Sequence, residues 1–326
     1  MNDDLDIPER PERAPQGPPR SGSAVFAWLE LVRLPNVFTA WADVAMGFLI
    51  TRSQFTVDDR LPLGLLIAAS SSLYMAGMAL NDAFDAELDA RERPERPIPS
   101  GRISLGAARR AGWSLLVIGV ALAVAAGVVV QSVWPTVAGL VLAGCVVLYD
   151  RWLKPTPFGP LGMGLCRTLN VVLGMSAATV TLEPVHGMAA AAIGVFIVGV
   201  TWFSRSEARK SNRGWLLAAL VVILGGLGLM AWMPAGADPG TLVVDAGQSR
   251  WQMLMGLLAA FIGFRSLVAI ADPSPRSVQA AVRQGIQTLV FLDAAAVFAF
   301  HGPYLTLWVL LLIVPVTILG QWLHST

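Results

Sequence analysis

Charge is what this sequence has least of. Asp, Glu, Lys and Arg together make up 14% of its 326 residues, against about 25% in an average soluble domain. A chain so poor in charge, and 55% hydrophobic, is neither a disordered protein nor an ordinary soluble globule. Its net charge of +1 gives no electrostatic reason to expect nucleic acid as a partner. Cysteine is scarce as well. Two residues, Cys145 and Cys166, exclude a disulfide scaffold. Both sit in apolar runs and read as packed thiols rather than a disulfide or a metal pair. The three histidines, His186, His301 and His324, stand alone in short outer loops or near the C-terminal end. None has a partner at metal-ligand spacing, so they are expected to be solvated.

What is present comes in apolar blocks. Ten stretches of membrane-spanning character lie near 25–50, 62–81, 107–130, 134–149, 159–180, 187–204, 214–233, 251–271, 280–300 and 303–323. The ninth is interrupted by Arg283, Gln284, Gln287 and Asp293. Gly and Ala occur freely in them, as in membrane helices. The expected fold is all-α, a polytopic transmembrane helical bundle of nine or ten spans over 25–326. Before it, the Pro-, Arg- and Glu-rich segment 1–24 has no apolar h-region and reads as a disordered cytoplasmic tail.

The few basic residues give an orientation. With ten spans alternating from a cytoplasmic tail, seventeen of the 23 Lys and Arg fall on the cytoplasmic side. Arg91, Arg93, Arg96, Arg102, Arg109 and Arg110 form the largest group. Only Arg52, Arg60 and Arg250 fall opposite, and Arg33, Arg167 and Arg265 lie within spans. This positive-inside asymmetry places both ends and the charged loops on the cytoplasmic face of the inner membrane.

The densest charge follows the second block, which ends Asn81-Asp82-Ala83-Phe84-Asp85-Ala86-Glu87-Leu88-Asp89 and continues ARERPERPIPSGRIS. On a helix Asn81, Asp85 and Asp89 share one face, with Asp82 beside them. A step of four residues rises about 6 Å, so stacked carboxylates repel unless a cation lies between them. Hard oxygen ligands in low number suit Mg²⁺, which completes its shell with water and substrate phosphates. Arg91, Arg93, Arg96 and Arg102 supply counter-charge for the same phosphates. Pro94, Pro97 and Pro99 stiffen the loop that carries them. Deeper in the bilayer, Arg167 and Asn170 share a helix face. An arginine at mid-depth costs about 2.5–3.5 kcal/mol on insertion scales and must face protein or a wet cavity. Arg167 is expected to line a cavity, with a structural ion pair to Asp43 or Asp293 as the alternative.

The stretch NDAFDAELDARERPERPIPSGRIS resembles the first aspartate-rich motif of the UbiA superfamily of intramembrane prenyltransferases in residue type, spacing and position. The resemblance extends over most of 25–323. RLPNVFTAWADVAMGFLI is similar to the family's first span, which puts Arg33 and Asn36 at the active-site cavity. Tyr149-Asp150-Arg151-Trp152-Leu153-Lys154 resembles the family's Tyr-x-x-x-x-Lys stretch, whose lysine contacts diphosphate. With LGMGLCRTLN, the wording looks most like the EboC-like branch. The resemblance implies a Mg²⁺-dependent enzyme of the lipid bilayer that moves an isoprenyl group from a polyprenyl diphosphate donor to a small acceptor, with no required protein partner evident. It implies catalytic roles for Asp82, Asp85, Asp89 and Lys154, and metal ligation by Asn81, Asp82, Asp85 and Asp89. Substrate contacts fall on Arg33, Asn36, Asn81, Arg91, Arg96, Arg102, Tyr149, Arg167 and Asn170. The family's second aspartate-rich motif is replaced here by 201–213, which holds a single acid, Glu207. Arg205 and Arg209 lie one helical turn apart and would present both charges to one anion. Arg205 and Glu207 therefore join the expected substrate contacts. The thinning of this motif motivates a second reading, a UbiA-fold protein that binds or moves a polyprenyl-linked compound without transferring the prenyl group.

Overall fold

A computed structural model describes residues 23–205, 211–238, 240–242 and 248–322. Residues 1–22 of the expected tail, and Glu207, Arg209 and His324, lie outside the described residues. Within them every regular element is helical. The chain forms α1 (Ala24–Leu31), α2 (Leu34–Ile50), α3 (Arg60–Phe84), α4 (Ala86–Glu92), α5 (Leu105–Val129) and α6 (Trp134–Leu148). A π-helical turn, Tyr149–Leu153, extends α6. There follow α7 (Gly159–Met175), α8 (Pro184–Ser204), α9 (Arg213–Trp232), α10 (Gln248–Ala271), α11 (Pro275–His301), α12 (Pro303–Leu310) and α13 (Ile313–Trp322). Seven helical stretches are long and apolar enough to cross a membrane, and α2 is a shorter apolar helix. The chain is an all-α, multi-pass membrane bundle. The polar-interrupted ninth block is the continuous helix α11, and its Asp293 is fully buried.

Successive long helices pack side by side, α2 on α3, α3 on α5, and so on to α11, which returns to α2. α2 also packs against α7. That crossing is close because of two glycines. A Cβ on Gly47 would lie 2.2 Å from the Val171 carbonyl oxygen, and one on Gly174 would lie 2.2 Å from that of Val44. Small residues of this kind let membrane helices approach backbone to backbone. Gly174→Val should therefore force α2 and α7 apart at a cost of about 1–3 kcal/mol. A lowered thermal midpoint of the detergent-purified protein would show it, and an unchanged midpoint would refute the tight crossing.

Three expected helices are broken, the tenth block dividing into α12 and α13 at Leu311 and Leu312. Arg33 adopts a left-handed backbone (φ 49°, ψ 52°) between α1 and α2, a conformation costing a non-glycine residue roughly 1–2 kcal/mol. The face expected to run unbroken through Asn81, Asp85 and Asp89 bends at Asp85, which closes α3 and opens α4. The bend leaves Asp85 facing Lys154 while Asp89 turns toward Arg96.

At the end of the bundle remote from the arginine-rich loop, the expectation of solvated histidines is corrected. His186 is 2% exposed. Its Nδ1 accepts from the Glu183 N–H (2.9 Å) and its Nε2 lies 3.1 Å from the Ile50 carbonyl. His301 Nε2 lies 2.7 Å from the Leu49 carbonyl. The last carbonyls of a helix have no intrahelical donor, and both imidazoles close the end of α2. In the loop beyond it, Arg52 binds Asp59 at 2.7 Å. Desolvation pushes the Asp59 carboxyl up, but hydrogen bonds from Arg52 and Thr56 outweigh it and hold the group below its ordinary 3.8. The stability this contributes is present at neutral pH and fades only as the pH falls below that value.

Candidate active site

At the basic end of the bundle, α3, the α1–α2 junction, α4 with its following loop, and the π-helical turn bring their charges together. Asn81 is the hinge of the cluster. Its Nδ2 donates to Asp150 Oδ1 (3.2 Å), and its Oδ1 accepts from Lys154 Nζ (2.8 Å). Lys154 also donates to Asp85. Asp82 and Asp89, each 5% exposed, share Arg96. Its Nη1 lies 2.7 Å from Asp89 Oδ2 and 3.5 Å from Asp82 Oδ1. Arg33 Nη2 approaches the same Asp82 oxygen at 3.6 Å. The distances around Asp82 are long for ion pairs, so its carboxylate is drawn toward two guanidinium groups and held closely by neither.

Lys154 reaches this cluster because of the π-helical turn. The Lys154 N–H bonds the Tyr149 carbonyl at 2.9 Å, a five-residue step, and such turns re-aim side chains at functional sites. Tyr149 and Asp150, neighbours in sequence, both line the same cavity. That cavity, about 270 Å³, opens beneath the acidic cluster. Arg33, Asn36, Arg93, Tyr149 and Asp150 are among its polar lining residues. Its walls are mostly apolar, from Leu142, Val146, Met163, Ile197, Val200 and Ile286.

A second polar group lies deeper in the cavity. Arg167 Nη1 binds Asp43 Oδ2 and its Nη2 donates to Thr39 Oγ1, both at 2.8 Å. Asn170 donates to Asp43 Oδ2 (3.1 Å) and to the Ala40 carbonyl (2.9 Å), and accepts from Ser70 Oγ (2.7 Å). Arg167, Asn170, Ser70 and Tyr74 line the cavity, whereas Asp43 stands behind them, fully buried. Arg167 thus does both things expected of it as alternatives. Cys145 and Cys166 lie with their Sγ atoms 3.4 Å apart and unbonded.

Other expected contacts are placed elsewhere. Arg102 is committed to Glu30 (2.7 and 3.2 Å) and to the Glu95 carbonyl (2.8 Å). Arg91 is exposed on α4. Arg205 donates to the carbonyls of Lys154, Thr156 and Pro157 and closes the turn after Lys154. Glu207 lies outside the described residues. Sequence reasoning left out Asp150, Ser70 and Tyr74 as cavity residues, and named Arg93 as counter-charge for the substrate phosphates. Adjacency to Tyr149 was the one signal for Asp150, and a regular helix would have turned the two about 100° apart.

Among the described residues no three His, Cys, Asp or Glu side chains already stand together as a metal cradle. The donor chemistry nevertheless suits a hard divalent cation. Asp82 is loosely held, Asn81 offers an amide oxygen, and Asp150 Oδ2 is buried without a hydrogen-bond partner.

Known proteins resemble this chain in sequence and in fold. The digeranylgeranylglyceryl phosphate synthase of Saccharolobus solfataricus is 32% identical over 151 residues, covering 45% of this chain and 50% of the relative. The chain spans about half the length of the curated relatives it matches. A solved structure of a digeranylgeranylglyceryl phosphate synthase superposes with a TM-score of 0.60 at 18% identity, covering 85% of this chain and 99% of the other. The structure of a UbiA homolog from Archaeoglobus fulgidus bound to GPP and Mg²⁺ gives 0.57 at 14% identity, over 81% and 99%. These two establish the fold. The model of the UbiA prenyltransferase family matches residues 37–280, and the chain belongs to that family.

Proposed function

We propose that the protein is a prenyltransferase that moves an isoprenyl group from a polyprenyl diphosphate to a small acceptor, with Mg²⁺, at the cytoplasmic face of the inner membrane. The observation that carries this is the meeting of Asn81, Asp82, Asp85 and Lys154 with Arg33 and Asp150, two residues that line an apolar-walled cavity. A diphosphate needs the charged cluster, and an isoprenyl tail needs the apolar wall.

Asn81, Asp82 and Asp85 are the residues that would hold the cation. Bound there, it would neutralise charge on the diphosphate and so make it a better leaving group. Lys154 and Arg33 act on the same charge directly, as fixed donors aimed where negative charge grows. The bond that breaks joins the allylic carbon to the diphosphate oxygen, and the electron pair leaves with the diphosphate. The apolar walls exclude water, which would otherwise capture the allylic cation. Tyr149 and Tyr74 place aromatic rings in the cavity, and their electron-rich faces favour a cation nearby. The relatives are named for digeranylgeranylglyceryl phosphate, so a prenylated glyceryl phosphate is the first acceptor class to test.

The second reading, binding without transfer, is favoured by the single acid of segment 201–213. Purified protein with labelled geranylgeranyl diphosphate, Mg²⁺ and a panel of acceptors separates the two. Acceptor-dependent diphosphate release is expected. Mg²⁺-dependent donor binding without release under any acceptor would favour the second reading instead.

A further inference from the structure

We propose that Asp150 is an additional carboxylate of the cation–diphosphate site, contributed by the π-helical turn where segment 201–213 contributes a single acid. The inference rests on the prenyltransferase reading above and adds a ligand to it.

Among the described residues Asp150 is the one acid on the cavity wall. It is 5% exposed, and only one of its oxygens is satisfied. Oδ1 accepts from Asn81, whereas Oδ2 is buried with no hydrogen-bond partner. Leaving a buried polar atom unpaired costs roughly 1–3 kcal/mol, and more for a charged one. An ordinary structural role would have supplied a donor. Gly77, one turn before Asn81 on α3, packs beside Asp150, and a Cβ there would lie 3.7 Å from Oδ2.

The connection to the acidic cluster is direct. Asp150, Asn81, Lys154 and Asp85 form one continuous hydrogen-bonded chain. A cation held by Asn81 and Asp85 would therefore be adjacent to Asp150 through a shared neighbour. The π-helical turn sends Tyr149, Asp150 and Lys154 to the same side, so a single local irregularity delivers a base and an acid to one site. Hard oxygens drawn from two separate helices suit Mg²⁺, which needs few protein ligands but tolerates little error in their placement.

The test reads metal binding, with Mn²⁺ as probe. Purified wild-type, Asp150→Asn, Asp150→Glu and Asp85→Asn proteins are titrated with Mn²⁺ by electron paramagnetic resonance, alone and with an uncleavable geranyl thiolodiphosphate. Asp150→Asn keeps the shape and the Asn81 contact but loses the charge, and should weaken Mn²⁺ binding about tenfold or more. Asp150→Glu keeps a carboxylate and should recover part of that loss. Metal-free thermal stability of Asp150→Asn should stay level or rise, because a buried unpaired charge is removed. Wild-type Mn²⁺ affinity in Asp150→Asn, with affinity lost in Asp85→Asn, overturns the role of Asp150 and leaves the prenyltransferase reading standing. Unchanged affinity in both overturns both. Equal loss in the Asn and Glu variants, accompanied by lower metal-free stability, makes Asp150 a structural residue and also overturns the proposal. Should the Asn variant not fold, Asp150→Ser, which removes the unpaired oxygen and the charge in a smaller side chain, should weaken Mn²⁺ binding by a similar factor. Wild-type affinity there overturns the proposal.

Discussion

Asp85→Asn should slow diphosphate release by about 10²–10³-fold, and Lys154→Met should do nearly the same. Those are the losses seen when one preorganised group is removed from a site of developing charge. The two side chains are bonded to each other at the end of α3. Without the Asp85 carboxylate the cation loses a charged ligand, and Lys154 loses the partner that fixes its position. Without Lys154 the leaving diphosphate loses a direct donor. Because each residue sets up the other, the double variant should be little worse than the poorer single one, as in groups that act as a unit. Initial rates of labelled diphosphate release at saturating donor would measure this, with circular dichroism confirming the fold. Rates within twofold of wild type for either single variant would remove both residues from the chemistry. Losses that multiply would show two independent contributions.

How far the sequence reached depended on what set each feature. The bilayer fixes span length, so hydrophobic blocks gave the helices directly, α11 included, despite its Arg283 and Asp293. Local spacing also brought Asn81, Asp82 and Asp85 to one helix end. Features set by tertiary partners stayed hidden. The left-handed turn at Arg33 and the bend at Asp85 each go with a side-chain contact far along the chain, to Asp82 for one and Lys154 for the other. The two histidines looked solvated because they flank short loops. The unpaired carbonyls they satisfy belong to α2, more than a hundred residues away in the chain. Among arginines, composition cannot distinguish one bound to a carboxylate of the site from one that ties a loop. Arg96 proved to be of the first kind, and Arg102 and Arg205 of the second.

Arg167→Leu should destabilise the protein by about 3–5 kcal/mol, the usual consequence of removing one partner from a buried ion pair. The effect should be large here because the amide of Asn170 would be left as the donor to Asp43, with no positive charge beside it. Arg167 is the guanidinium that faces Asp43, whose other oxygen has no hydrogen-bond partner. Asp293 is also fully buried and faces Asp43, with no basic or amide donor on either oxygen. Two acids therefore already stand against one base, and removing the base leaves the acids alone in the middle of the bundle. The sign reverses when the acid is removed too. Arg167→Leu combined with Asp43→Asn should be more stable than Arg167→Leu alone, since the amide can still accept from Asn170 and carries no charge to strand. Thermal unfolding in detergent of the two singles and the double completes the cycle. A double variant no better than Arg167→Leu would mean that the loss comes from the arginine's packing against α2 and α3 and not from its charge. A double variant more stable than the wild type would show that the ion pair is held in the cavity wall, where Arg167 lies beside Asn170 and Ser70, at a net cost to folding.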